Sequence, residues 1–232
     1  MDRTLESLYG LRNKTALLSG GGGGIASGLA KALGSLGVRI ALIDINREAL
    51  EKSAERVSST GAETAHFHCD ITDKQSVQKT VDQVVRRFGG LDFLLNCAGL
   101  SWIQESVDFE EDQWDRVMEV NIKGTFLLCQ ATGRIMIEGN FGRIVNFSSV
   151  RGIQGRRGDM AYAPSKGAVN QITRSLAIEW AERNINVNAI APTFTLTEMN
   201  RDQIENKATH EWILSRIPKR RPCSIEDLVG PV

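Results

Sequence analysis

Lys14-Thr-Ala-Leu-Leu-Ser19 is an almost wholly apolar run, and Gly20-Gly-Gly-Gly-Gly24 follows it directly. Ile25-Ala26-Ser-Gly-Leu-Ala-Lys-Ala-Leu-Gly-Ser-Leu36 then takes up a helical spacing. Five glycines in series make a flexible linker in other settings. Between a strand and a helix they have a different use. They let backbone approach a pyrophosphate while the helix N-terminus stabilises its charge. The stretch therefore reads as a strand–turn–helix unit for a dinucleotide, with Gly20, Gly23, Gly24 and Ile25 as contact candidates. Ala26 stands where a further glycine normally permits close helix–sheet packing.

The same rhythm runs outward from this unit. Apolar runs at Lys14–Ser19, Val38–Ile43, Thr64–Cys69, Leu91–Leu95, Gly142–Phe147 and Ile185–Ile190 read as strands. Helical stretches lie between them, near Ile25–Leu36, Arg47–Ser59, Lys74–Phe88, Glu110–Ile137 and Ala161–Arg183. Strands that are apolar almost throughout suit a parallel sheet covered on both faces. The alternation predicts an α/β fold, a doubly wound parallel Rossmann sheet flanked by helices. Glu110–Ile137 is long for one helix, so two helices meeting near Val120-Asn121 are expected. Pro164 fits only the first turn of a helix, which starts the last one near Ala161. No linker divides the chain, and residues 1–232 are expected to form a single domain.

Hydrophobic residues make up 41% and charged residues 24%, the balance of an ordinary globular chain. Basic and acidic residues number 28 each, which argues against a broad nucleic-acid footprint. Cys69, Cys97, Cys129 and Cys223 are too far apart for a zinc site or redox dithiol and read as free thiols in a reducing compartment. His66 and His68 share one side of a strand, but no further ligands cluster with them, and no metal is expected. No signal peptide and no membrane span is visible, so a cytoplasmic protein with a small-molecule substrate is expected.

Two further places carry chemistry. Asp44 ends the second strand, where an acidic side chain accepts hydrogen bonds from the ribose of NAD and repels the 2′-phosphate of NADP. Arg47 lies further on and reads as a helix-surface residue. NAD is the expected cofactor. Tyr162 and Lys166 are four apart, so on a helix the phenol and the ammonium share a face. A cation beside a phenol favours the phenolate, which makes Tyr162 a usable acid/base. Ser149, thirteen residues before, can hold the oxygen that exchanges the proton. The plainer alternative is an amphipathic helix with a surface lysine.

With these pieces in order, the chain from Leu11 to Val229 resembles the short-chain dehydrogenase/reductase family. Ser19 to Ala26 is similar to its Thr-Gly-x-x-x-Gly-x-Gly motif. Asp70 resembles the aspartate that meets the adenine, with Ile71 packed beside it. Asn96-Cys97-Ala98-Gly99 is similar to Asn-Asn-Ala-Gly, which adds Asn96, Ala98 and Gly99 to the cofactor contacts. Asn121, Ser149, Tyr162 and Lys166 match the family's catalytic tetrad. Ile190-Ala-Pro192-Thr193-Phe-Thr195-Leu-Thr197 resembles the loop at the nicotinamide, with Pro192, Thr195 and Thr197 as contacts and Thr193 in place of a glycine. Family members usually continue past Val232 through a last helix and strand, so the sheet is expected to lack that strand.

The resemblance implies an NAD(H)-dependent oxidoreductase that interconverts a secondary alcohol and a ketone. Tyr162 would take the proton, Ser149 would hold the substrate oxygen, and Lys166 would keep Tyr162 ionised and bond the ribose. Asn121 would hold a relay water or shape the helix junction. A homodimer or homotetramer is implied as well. Specificity is expected in Ser101–Phe109, Arg151–Arg157 and a substrate loop at about 193–221. Arg151, Arg156 and Arg157 suit an anionic substrate such as a sugar acid, or else face solvent or a neighbouring subunit. The Ala-Pro-Thr and Ser-Ser-Val-Arg-Gly runs are similar to gluconate 5-dehydrogenase-like members. The alternatives are a 3-oxoacyl carrier-protein reductase, which usually takes NADPH, and a non-catalytic NAD-binding regulatory protein.

Overall fold

A computed structural model describes residues 9–197, 204 and 206–232. Positions 198–203 and 205 of the expected substrate loop lie outside the described residues. Six strands appear where the apolar runs stand: β1 (Thr15–Ser19), β2 (Arg39–Asp44), β3 (Thr64–His68), β4 (Phe93–Asn96), β5 (Gly142–Phe147) and β6 (Ile185–Ile190). All neighbours pair in parallel, in the order β3-β2-β1-β4-β5-β6. The order reverses between β1 and β4. A doubly wound sheet opens its ligand crevice at that point, beyond the carboxyl ends of the strands.

Alternation along each strand supplies two cores. Leu17, Ile43, Leu94 and Ile144 face one side, against Val77, Val81 and Val84 of α3 (Lys74–Phe88), Leu128 of α5 (Thr125–Glu138) and Trp180 of α6 (Tyr162–Trp180). Ala16, Leu18, Ile40, Leu42, Leu95 and Val145 face the other side. They meet Leu29 of α1 (Gly24–Ser35), Leu50 and Val57 of α2 (Arg47–Ser58) and, from the end of the chain, Leu228. The same spacing explains why β1, β2, β4 and β5 are apolar almost throughout: both of their faces are buried, whereas the edge strands β3 and β6 stay partly exposed. Asn46 caps α2 by accepting from Ala49 N, and Asp73 caps α3 by accepting from Gln75 N and Ser76 N. These caps satisfy backbone donors that a helix start leaves open.

The long stretch after residue 110 resolves in a way the periodicity did not anticipate. Helix α4 (Glu111–Met118) passes into α5 through a π-helical turn, Glu119–Gly124, with no break. The turn is centred near Asn121, where two separate helices are expected from sequence. Such single π turns mark functional places more often than chance. Here the turn lets Asn121 point inward, and Thr125 Oγ1 donates to the Asn121 carbonyl at 2.8 Å. Gly124 lies against Ile71, and a Cβ there would come within 2.7 Å of the Ile71 side chain.

Beyond β6 the chain forms a small separate cluster. Helix α7 (Lys207–Arg216) places Ile213 against Ile204, Ile217, Phe194 and Leu196. Phe194 and Trp212 meet edge to face at 5.6 Å. Cys223 joins the segment by backbone bonds to Phe194 O and from Leu196 N, 2.8 Å each. Ile225 then packs on Gly28, where any side chain would collide with it, and leads into α8 (Glu226–Val229). Among the described residues, no helix is long and apolar enough to cross a membrane.

Candidate active site

Helix α1 begins at the glycine run with no side-chain cap and no acid in its first turn. Its first N–H groups therefore keep their attraction for an anion. Gly20 sits at φ +67°, a backbone that L side chains rarely adopt, and a Cβ there would lie 2.9 Å from the Ala98 backbone. Gly24 would meet Thr197 at 2.8 Å. These glycines are required because the β4 loop and the loop after β6 close tightly around them. Ala26 is buried, so the methyl in place of hydrogen is accommodated in the packing of α1.

A cleft of about 780 Å³ opens here, at the switch between β1 and β4. Gly20, Gly23, Gly24, Ile25, Asp44, Asp70, Ile71, Ala98, Gly99, Pro192, Thr195 and Thr197 all line it, as do Ser149, Tyr162 and Lys166. Asp44 is fixed at the edge of the cleft: Oδ2 accepts from Gly22 N at 3.0 Å and Oδ1 from Asn46 N at 2.9 Å. Asp70 Oδ1 accepts from Thr72 N and Thr72 Oγ1 at 2.9 and 2.7 Å. An uncapped helix start, a glycine cradle and a fixed carboxylate at the end of β2 are what a dinucleotide needs at its pyrophosphate and ribose.

Two expected residues lie elsewhere. Asn96 turns into the sheet, where its Nδ2 donates to Asn146 Oδ1 at 2.8 Å and approaches Cys129 Sγ at 3.3 Å. The strand alternation directs it there and sends the next residue, Cys97, to the cleft instead. Asn121 is fully buried, and its amide is committed to protein partners. It accepts from Leu100 N at 2.8 Å and donates to Leu100 O and Ser165 Oγ at 2.9 Å each. It thus ties the β4 loop to α6 behind the cleft wall.

Tyr162 opens α6, and Ser149 ends the extended segment before a short 3₁₀ turn, Val150–Gly152. Ser149 Oγ accepts from Arg151 N at 3.1 Å, which leaves its own hydrogen to donate. Lys166 Nζ donates to Phe147 O at 2.7 Å and lies 5.6 Å from the centre of the Tyr162 ring. The space beside Gly99 brings two groups together: a Cβ there would sit 3.2 Å from Lys166 Nζ and 3.4 Å from Asn121 Oδ1.

The electrostatics depart from the sequence expectation. Burial pushes the Tyr162 phenol above its ordinary value of 10.0, and this outweighs the hydrogen bond with Ser149 and the attraction of Arg156 and Arg151. Burial lowers the Lys166 ammonium to about 8. Desolvation disfavours the charged form of each group; Lys166 is buried in the wall and Tyr162 is half-buried at the cleft.

The three arginines are already engaged. Arg156 reaches Asp159 Oδ1 at 3.3 Å and Arg151 reaches Asp159 Oδ2 at 3.9 Å, while Arg157 pairs with Glu105 at 2.6 Å. None of them lines the cleft. Sequence reading passed over Asp159, Ser165 and the Phe147 carbonyl. Ser165 directly precedes Lys166, so its place was open to inspection, but its partner Asn121 is 44 residues away. His66 and His68 are both exposed, and no three metal-ligating side chains gather among the described residues.

A family model described as short chain dehydrogenase matches residues 14–208. The 5-keto-D-gluconate 5-reductase of Escherichia coli K12 is 33% identical over 226 residues, which is 97% of this chain and 89% of that protein. A crystal structure of NAD⁺-bound xylitol dehydrogenase superposes with a TM-score of 0.90 at 36% identity, covering 95% of this chain and 91% of its own. Gluconate 5-dehydrogenase from Burkholderia cenocepacia J2315, in complex with NADP and tartrate, does so at 0.89 and 32%, covering 97% and 89%.

Proposed function

The chain belongs to the short-chain dehydrogenase family, and from that premise we propose that it interconverts a secondary alcohol and a ketone of a polyol or sugar acid with NAD(H). The observation that carries this reading is the meeting of Ser149, Tyr162 and Lys166 with the glycine cradle in one cleft. Gly20, Gly23, Gly24 and the start of α1 would hold the pyrophosphate, Asp44 the adenosine ribose, and Asp70 with Ile71 the adenine. The nicotinamide cofactor, when bound, accepts or supplies the hydride.

In the oxidising direction Tyr162, as phenolate, removes the proton from the substrate hydroxyl. Ser149 donates to the same oxygen and fixes its place. In the reducing direction the phenol returns the proton to the carbonyl oxygen. Lys166, held by Phe147 O, places a positive charge below the phenol when it is protonated, below about pH 8. Asn121 keeps the β4 loop and α6 in register, so that Gly99 and Lys166 stay together. Residues 1–232 act as one catalytic domain, assembled as a homodimer or homotetramer.

NAD is preferred over NADP because Asp44 presents a carboxylate where a 2′-phosphate would lie. Relatives of both substrate kinds support the two classes named. Polyols and their ketoses rank ahead of sugar acids, because Arg151, Arg156 and Arg157 are matched by Asp159 and Glu105. The test is NADH absorbance over a panel of polyols, sugar acids and 3-oxoacyl thioesters, repeated with NADPH. Turnover of a polyol or sugar acid with NAD⁺ is expected. Turnover of thioesters alone, or none with any member beside tight NADH binding, would overturn the reading.

A further inference from the structure

Asp159 stands three residues before Tyr162, and its side chain has no exposed surface. Neither of its oxygens accepts a hydrogen bond within the protein. Its company is ionic: Arg156 at 3.3 Å and Arg151 at 3.9 Å, whose side chains are 25% and 18% exposed. Arg156 Nε is buried without a partner too. A buried carboxylate held only by such loose pairs is costly, and well-packed apolar groups would serve stability as well or better. The cluster calls for a use other than stability.

Its placement suggests one. Arg151 lies in the turn after Ser149, Arg156 closes the loop, and Asp159 leads into α6 with its carbonyl accepting from Ala163 N at 3.1 Å. The backbone around it is fastened to the other wall, with Gln104 N donating to Gly158 O at 3.0 Å. The carboxylate thus fastens both ends of the loop that carries Ser149 to the turn that carries Tyr162. The charged groups around the phenol are Asp159, Arg151 and Arg156 from this loop and Lys166 from α6, together with the Ser149 hydroxyl. Asp159 disfavours the phenolate and the two arginines favour it.

We propose that Asp159 is a positioning residue for Tyr162: clamped between Arg151 and Arg156, it sets the charge around the phenol and fixes the Ser149 loop against it. The proposal rests on Tyr162 being the acid/base of the reaction, yet it can be tested without a substrate. The chain holds two tyrosines, and Tyr9 is exposed at the edge of the fold. In a Tyr9→Phe background, tyrosinate absorbance reads Tyr162 alone, taken at once after a rapid pH jump and ahead of alkaline unfolding.

Asp159→Asn is expected to move the ionisation midpoint to lower pH, and Arg156→Gln or Arg151→Gln to higher pH. Asp159→Glu should stay near the parent. Opposite signs from the two kinds of variant are the signature, because general loosening of the loop would move all of them the same way. In turnover, Asp159→Asn should gain about two- to fivefold, relative to its own plateau, at a pH below the rising limb of alcohol oxidation. If Asp159→Asn does not fold, the arginine variants decide alone. Midpoints unmoved, or moved in one common direction, overturn the proposal. Substantial turnover by Tyr162→Phe beside these midpoint shifts would instead count against the catalytic reading.

Discussion

Replacing Lys166 with methionine is expected to abolish turnover and yet to make the folded chain more stable at neutral pH. Lys166 is 4% exposed, and burial brings its ammonium from its ordinary value of 10.5 down to about 8. Each pH unit is worth about 1.4 kcal/mol, so carrying this charge costs the folded state roughly 3 kcal/mol below pH 8. Against that stands one hydrogen bond to Phe147 O, whose loss leaves a buried acceptor and costs about 1–2 kcal/mol. Methionine keeps the length of the stem, so the net gain is about 1–2 kcal/mol, or roughly 2–8 °C in Tm. The sign depends on pH. Between about 8 and 10.5 the unfolded chain still holds the proton while the folded chain has lost it, so wild-type stability rises with pH across that window. Lys166→Met lacks this rise, and above the window it should be the less stable of the two by the lost hydrogen bond. Urea unfolding of both proteins below pH 8 and above pH 10 measures the crossing. A variant that is less stable at every pH by a constant margin refutes the reasoning.

Calorimetry should show NAD(H) binding tighter than NADP(H), and Asp44→Ala should narrow the gap by roughly 1–3 kcal/mol, through a lost ribose bond and relieved repulsion. Part of any stability loss in that variant comes from freeing Gly22 N and Asn46 N, so the ratio of the two affinities is the quantity to compare. Asn121→Ala should destabilise the fold by about 1–3 kcal/mol, since it strands the buried Ser165 hydroxyl and removes both part-buried bonds to the Leu100 backbone. Chemical denaturation checks this, and a loss under about 1 kcal/mol would mean that the loop re-pairs readily.

The sheet was legible because both faces of its central strands are buried, so those strands stand out as apolar runs against amphipathic helices. The six runs lie within two residues of the observed strands at either end. The glycine run was legible for a related reason: close approach demands absent side chains, and a Cβ on Gly20 or Gly24 would lie under 3 Å from the Ala98 backbone or Thr197. The π-helical turn at Asn121 was not, since one added residue in a helical ladder leaves the apolar period almost unchanged. Asn96 was assigned to the cleft, but the alternation of β4 directs it into the core toward Asn146, fifty residues on. The arginines were seen as free positive charge because their partners are set by loop geometry. Asp159 lies within three residues of Arg156, but Glu105 is 52 residues from Arg157. The effect of burial on Tyr162 and Lys166 was hidden as well. Spacing on a helix places two groups together but says nothing of how far both lie from water.

Turnover and cofactor binding in Tyr162→Phe, measured together, test the central claim most directly. The substitution removes one oxygen from the cleft wall and leaves the glycine cradle, Asp44 and Lys166 in place. With the substrate found in the panel, turnover should fall to near the uncatalysed level. NADH binding, followed by its fluorescence, should stay within a few fold of the parent. Substantial turnover by Tyr162→Phe would contradict the account and assign the proton to another group.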